Sequence, residues 1–357
     1  MAQINYYNEF FIPLIDRSLT TTKKNIHGLK RELQRHYPIK ITGIDVHKRL
    51  PEHNSFCYEI MTRESSYFLK AIEPEGIKSL EWERDLYQLG LKQIPQLHPT
   101  IDGQLSILFH DRDLDREDRY ALYQYRPMKQ MCDYRNRHQK TALGNAVANF
   151  HHYSHLLARK NLCRQPFVNS PYTSRQSLSR DPYQVEELYK YNSNHDLKEY
   201  IKIMEKIKKK LDQLDAAKLY IHNDWCLLNV SFNRDTVETI YDTTQMAYDF
   251  RMIDVAQAIT RFSLFDRQEG TIDIQSMKNF ITAYRDGIYA SLALSAQELT
   301  HLNVFLVYSL WGLLDYLMRL TQKLDLRTEF IKFTRKMIDA AWLSPVLIKD
   351  KYVGKVV

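Results

Sequence analysis

His222-Asn-Asp224-Trp-Cys-Leu-Leu-Asn229, with Asp242 thirteen residues further on in Ile240-Tyr-Asp-Thr-Thr244, is the stretch whose reading decides this chain. A carboxylate, a side-chain amide five residues later and a second carboxylate beyond are what metal-assisted phosphoryl transfer requires. One Asp orients and accepts the proton of an attacking hydroxyl. The Asn and the second Asp supply oxygen ligands to the magnesium that bridges nucleotide phosphates. The local pattern also places them together. Val230-Ser-Phe232 reads as a strand, Asn233-Arg-Asp-Thr236 as a turn and Val237 to Asp242 as the returning strand. Such a hairpin carries Asn229 and Asp242 to one edge, beside the loop that bears Asp224. His222 reads as packing for that loop rather than as a proton-transfer group.

Upstream, the texture changes twice. Residues 1 to about 36 are expected to be helical and amphipathic, ending near His36-Tyr-Pro38. Lys40–Val46, Phe56–Met61 and Tyr67–Ile72 alternate as three strands. A helix follows from Ile77 to Leu89, closed by Gly90. Leu105–Phe109 and Tyr120–Tyr125 are two further strands, and from Thr141 onward the chain reads as mostly helical apart from the Asn229 hairpin. The fold class expected is α+β and bilobal, protein-kinase-like. An N-terminal helical extension (1–38) precedes a small antiparallel-sheet lobe (39–127) and a larger helical lobe (128–357).

Lys70 falls late in the third strand, where such folds place a lysine on the nucleotide phosphates. Its carboxylate partner follows from angle. At about 100° per residue, Glu83 falls among Leu80, Trp82, Leu86 and Tyr87, whereas Glu81 falls with Arg84, Asp85 and Gln88. A carboxylate on the apolar side needs a partner, because an unpaired buried charge is costly; Glu83 is therefore the expected mate of Lys70. Tyr123-Gln-Tyr125 is expected to form the hinge, its backbone groups meeting an adenine edge.

Composition narrows little else. With 357 residues the chain can bury roughly 75% of its unfolded surface. A formal charge of +7 allows an acidic ligand without choosing one. The Lys206–Lys210 run reads as a solvated helix face, and no RNA-binding aromatic signature accompanies it. The four cysteines (57, 132, 163 and 226) show no metal-ligand spacing and are expected to be reduced thiols of a cytoplasmic protein. The longest apolar stretch, Val304–Leu314, is too short to span a bilayer. Tyr183, Trp311, Asp315 and Tyr316 are candidates for lining an acceptor pocket.

From about residue 39 to 325 the chain resembles the aminoglycoside phosphotransferase and choline-kinase superfamily. It looks nearest to spore-coat (CotS-type) kinase-like proteins, with type II homoserine kinases nearby. Leu86–Gly90 with Ile94-Pro95 and Pro99–Gly103, Ala148-Asn-Phe-His151, and Tyr248–Ala256 around Asp254 are similar to that family's segments in the same order. The resemblance implies Asp224 as catalytic base, Asn229 and Asp242 as metal ligands, Lys70 on the phosphates, and Asp254 as a structural brace. It also implies Asn54 beside the nucleotide, ATP and Mg2+ as cofactors, and a small hydroxyl-bearing acceptor (a sugar, amino alcohol or amino acid).

There are departures. Asn223 stands where relatives commonly have Gly or another small or polar residue, and Thr243-Thr244 follow Asp242 where relatives usually carry Phe and often a second acid. The Leu50–Ser55 loop lacks glycine. These leave a second reading open, a kinase-like binding or coat-assembly component with weak or no catalysis.

Overall fold

The computed structural model describes residues 26–49, 56–72, 76–111, 115–133, 136–160, 205–207, 209–262, 265–266, 271–288 and 292–321. The chain divides into two compact units. One is Met1–Gln88 with Ile94–Pro127, the other Leu89–Gln93 with Met128–Val357.

The first unit is a six-stranded antiparallel sheet with a helix on each face. Its strands are β1 (Gly43–Arg49), β2 (Phe56–Met61), β3 (Ser66–Ala71), β4 (Leu97–His98), β5 (Ile107–Asp111) and β6 (Arg116–Gln124). They run in the order β1-β2-β3-β6-β4, with β5 also on β6. Because side chains alternate across a strand, β3 and β6 each feed both faces. Leu69, Tyr120 and Leu122 join the core under α1 (Ile26–His36), whose Leu29 and Leu33 are buried there. Phe68, Ile72, Ala121 and Tyr123 form the opposite core with Leu80 of α2 (Ile77–Leu89).

Three of these elements match the pattern read from sequence: β2 and α2 at the expected residues, and β3 shifted by one. Gly90, at φ +121°, ends α2 in a conformation that side chains resist. β1 begins and ends three residues later than expected, because a bulge between Val46 and Lys48 interrupts the alternation and lets the strand continue to Arg49. β5 likewise lies two residues later, and β6 starts four residues earlier. β4, two residues long, was not anticipated. Of the expected N-terminal helix, residues 26–36 are helical; residues 1–25 lie outside the described residues.

The second unit holds α3 (Arg137–Lys160), α4 (Met252–Arg261), α5 (Ile274–Gly287), α6 (Ala296–Thr300) and α7 (Leu302–Thr321). The region expected to be mostly helical apart from the Asn229 hairpin holds two further strand pairs. Besides the hairpin β8 (Val230–Asn233) and β9 (Thr236–Ile240), there is a second ribbon, β7 (Lys218–Ile221) against β10 (Ala247–Phe250), and a short pair β11 (Phe265–Asp266) and β12 (Thr271–Ile272). The decisive loop runs from the end of β7 to the start of β8, so both ribbons hold it. α3 lies close along α5. A Cβ on Gly144 would overlap the Phe280 carbonyl oxygen, so only glycine allows that approach. The apolar run from Val304 is buried through Leu310 within α7, and no described helix is long and apolar enough to cross a membrane.

Candidate functional site

The loop after β7 is held by backbone hydrogen bonds to side chains of α4. The Asp254 carboxylate accepts from the His222 N–H (2.8 Å), the Asn223 N–H (2.8 Å) and His151 Nε2 (3.1 Å). Gln257 accepts from the Trp225 N–H (3.1 Å) and donates to the Asn223 carbonyl (3.1 Å). Burial pushes the Asp254 carboxyl up, but the hydrogen bond and charge of His151, with help from His222, hold it below its usual range. Asn223 sits in the left-handed region at φ +63°, which glycine and asparagine tolerate. That geometry explains why this residue can stand where relatives have Gly.

His222 is fully buried and packs edge-on to Phe150, ring centroids 5.6 Å apart. Its Nε2 lies 2.9 Å from the Tyr241 carbonyl, and its Nδ1 lies 3.2 Å from the Asp224 N–H. A carbonyl can only accept, so Nε2 carries the proton and Nδ1 accepts. His222 therefore ties the Asp224 loop to the segment bearing Asp242.

Asp224 and Asn229 are bonded side chain to side chain, and Asp242 directly follows Tyr241, whose backbone is bonded to Asn229. The Asn229 amide nitrogen donates to the Asp224 carbonyl (3.0 Å) and to Asp224 Oδ2 (2.7 Å). Both bonds use the amide nitrogen, which fixes the amide's orientation and leaves its Oδ1 out of them. The Tyr241 N–H donates to the Asn229 carbonyl at 2.8 Å, closing the base of the hairpin directly before Asp242. Asp242 is half-buried, left-handed at φ +56°, and accepts from Thr244 Oγ1 at 2.5 Å. The Thr244 hydroxyl thereby orients the Asp242 carboxylate. No cluster of three His, Cys, Asp or Glu suited to a metal occurs among the described residues.

One residue was missed. Arg261 donates from its Nη1 to Asp224 Oδ1 at 2.6 Å, with Arg261 15% and Asp224 31% exposed. Asp254, Gln257 and Arg261 are spaced i, i+3, i+7, one stripe of α4 lying along the whole loop. Polar residues at that spacing in an otherwise apolar helix were the available signal.

In the first unit, Lys70 pairs across from Ala121, on the sheet face that packs against α2. Glu83 is buried on α2 at 4% exposure and accepts a 2.8 Å hydrogen bond from the Tyr123 hydroxyl. Glu81 is exposed, as its helical angle implied. The N–H groups of Gln124 and Tyr125 donate to the carbonyls of Gln96 and Ser66. The sheet therefore holds two donors of the expected adenine-facing stretch. Burial, with Glu59 beside it, pushes the Tyr125 hydroxyl up. Asn54, Cys163 and Tyr183 lie outside the described residues, as do the side chains of Trp311, Asp315 and Tyr316. Cys57, Cys132 and Cys226 are free thiols.

Residues 47–288 match the model of the phosphotransferase enzyme family. No curated protein matches the sequence. Among solved structures, the amicoumacin kinase hAmiN in complex with AMP-PNP, Ca2+ and Ami is 18% identical, covers 92% of this chain and 94% of its own, and has a TM-score of 0.60. A microcompartment-associated aminopropanol kinase is 16% identical over 91% and 97%, TM-score 0.61. The choline kinase LicA from Streptococcus pneumoniae is 10% identical over 89% and 98%, TM-score 0.54. At these identities the likeness is one of fold, the bilobal protein-kinase-like fold expected from the sequence.

Proposed function

Since the chain belongs to the phosphotransferase enzyme family, we propose that it is an ATP- and magnesium-dependent kinase of a small hydroxyl-bearing molecule, working in the cytoplasm. The observation that supports this reading is the Asn229–Asp224 side-chain bond on a loop held by α4, with the base of the hairpin bonded to Asn229 one residue before Asp242. Kinases named for amicoumacin, aminopropanol and choline, which share the fold, support a small-molecule acceptor.

In the reaction, the acceptor oxygen bonds to the γ-phosphorus while the bond from that phosphorus to the β–γ bridging oxygen breaks. ADP leaves with the electron pair. Asp224 holds the acceptor hydroxyl and takes its proton. Asn229 Oδ1 and the Asp242 carboxylate would hold magnesium, which neutralises phosphate charge when bound. Lys70, on the α2 side of its sheet with Glu83 on the facing helix, is assigned to the nucleotide phosphates. Tyr123 acts on that arrangement through Glu83.

The test is ATP titration by calorimetry with and without Mg2+. Binding should require the metal and should be lost in Asp242→Ala. Asp224→Asn should keep binding and lose turnover; an Asp224→Asn variant with undiminished turnover defeats the mechanism. One observation favours the second reading, a binding or coat-assembly component: both Asp224 oxygens are already engaged, by Arg261 and Asn229. Wild type that binds no ATP would decide for it.

A further inference from the structure

Behind Asp254 lies a chain of buried polar groups that ends on another helix. Asp254, His151 and Tyr284 are all fully buried. His151 Nε2 lies 3.1 Å from Asp254 Oδ2, and its Nδ1 lies 2.8 Å from the hydroxyl of Tyr284 on α5. The same hydroxyl is hydrogen-bonded to Arg251, the residue before α4, which pairs with Glu298 of α6. The reach from α5 to α3 depends on Gly144. A Cβ there would overlap the Phe280 carbonyl and crowd the Tyr284 nitrogen.

The direction of each bond follows from what its members can do. Burial pushes the Tyr284 hydroxyl up against the pull of Arg251, so it keeps its proton. A guanidinium only donates, so that proton goes to His151 Nδ1. With Nδ1 occupied as an acceptor, the proton of the ring sits on Nε2 and goes to Asp254, whose carboxylate only accepts. The opposite tautomer would set an Nε2 lone pair against Oδ2, the oxygen that also takes the His222 N–H. Resting on the kinase reading above, we infer that Tyr284 is a positioning residue for phosphoryl transfer. Its hydroxyl fixes the His151 tautomer that holds Asp254, and through Asp254 the backbone directly before the Asp224 base.

The experiment compares wild type, Tyr284→Phe, Asp254→Asn and the double variant, all as the full chain. ADP release is read with Mg2+, ATP and aminopropanol as acceptor, or with water as acceptor where aminopropanol is not used. Tyr284→Phe keeps the ring and its packing, so only the hydroxyl is tested. It should lower kcat about 3- to 10-fold, the range of one net hydrogen bond, and leave the KM for ATP within about twofold. In the Asp254→Asn background the same change should cost less than about twofold, because the route it acts through is gone. Nitrogen-15 NMR of histidine-labelled protein, with His151→Asn to assign the signal, should show Nε2 protonated in wild type and a mixture of tautomers in Tyr284→Phe. That comparison needs no Asp254 variant and decides alone if Asp254→Asn does not fold. Undiminished kcat in Tyr284→Phe overturns the inference. So does an equal loss in both backgrounds, or a wild-type ring protonated on Nδ1 alone. Calorimetry on the same samples separates the two levels. Absence of Mg2+-dependent ATP binding in wild type sinks the kinase reading, whereas binding and turnover indifferent to the hydroxyl sink only this inference.

Discussion

Replacing Asp254 by Asn changes neither volume nor shape, yet it should loosen the loop that carries the base. The carboxylate accepts three hydrogen bonds, from two backbone N–H groups and His151. An amide offers one oxygen and one NH2. If the oxygen takes the His222 side, the NH2 confronts the Asn223 N–H; in the reverse orientation it confronts the His222 N–H. Either way one buried donor loses its acceptor, at about 1–3 kcal/mol, and the remaining bonds lose their charge assistance. A total of about 3–5 kcal/mol follows, in the range for breaking a buried charged pair. For a unit of this size, about 2–4 °C per kcal/mol lowers the melting temperature by about 6–20 °C.

Circular-dichroism melts of Asp254→Asn against wild type measure this, with turnover read at 25 °C, where most of the variant is still folded. The pH dependence supplies a second check. The folded-state pKa of Asp254 is depressed from 3.8, so its contribution is full above that value and lost as pH falls through the folded value. The margin of wild type over the variant should hold at neutral pH and narrow in the acid range below about pH 4. A variant melting within about 2 °C of wild type, with undiminished kcat, would refute the bracing argument.

Gly144→Ala should destabilise by about 1–3 kcal/mol through overpacking against the Phe280 carbonyl, despite alanine's better helix propensity; urea titration reads it. Arg251 is buried in a bidentate pair with Glu298 and also donates to the Leu292 carbonyl. Arg251→Ala should cost about 3–5 kcal/mol in the same titration by leaving Glu298 unpaired. Burial raises the Glu298 carboxyl, but the Arg251 hydrogen bond and charge hold it below 4.5. Wild type should therefore lose that contribution as pH falls below this value, and the difference between wild type and variant should shrink there. Thr244→Val should leave the fold intact and weaken Mg2+-dependent ATP binding about 10- to 100-fold in calorimetry, by releasing the Asp242 carboxylate from its 2.5 Å hydrogen bond.

Sequence legibility varied with length and pattern. β2 and α2 were legible because alternation and a 100° period ran uninterrupted, and Gly90 closed the helix. Glu83 was distinguishable from Glu81 by the same periodicity, since burial follows helix angle. The hairpin β8–β9 was legible from its polar turn. The β7–β10 ribbon was not. Lys218–Ile221 is only four residues long, and Ala247–Phe250 runs without a break signal into the apolar start of α4. Pairing between strands 29 residues apart leaves no local trace. Arg261 was missed for a related reason. A basic residue in the last turn of a helix reads as complementing the helix dipole; the polar stripe through Asp254, Gln257 and Arg261 signalled a shared face, and the fold shows that its last turn ends on Asp224.

Backbone conformation adds a last step to the choice between a kinase and a binding component. Four non-glycine residues among those described have positive φ. Arg234 lies in the two-residue turn between paired Asn233 and Thr236, where the turn itself asks for it, and Asp115 directly precedes β6. Asn223 and Asp242 lie in no hairpin. One directly precedes Asp224 and the other is itself the second carboxylate of the motif. Each conformation costs on the order of 1 kcal/mol and persists only where surrounding contacts over-determine it. Those contacts are present: Asp254 and Gln257 on Asn223, and Thr244 with the Tyr241 backbone bonds around Asp242. A surface that merely binds a partner requires neither conformation. Both residues lie on the segment on which the proposed phosphoryl transfer depends, Asn223 beside Asp224 and Asp242 within the motif itself.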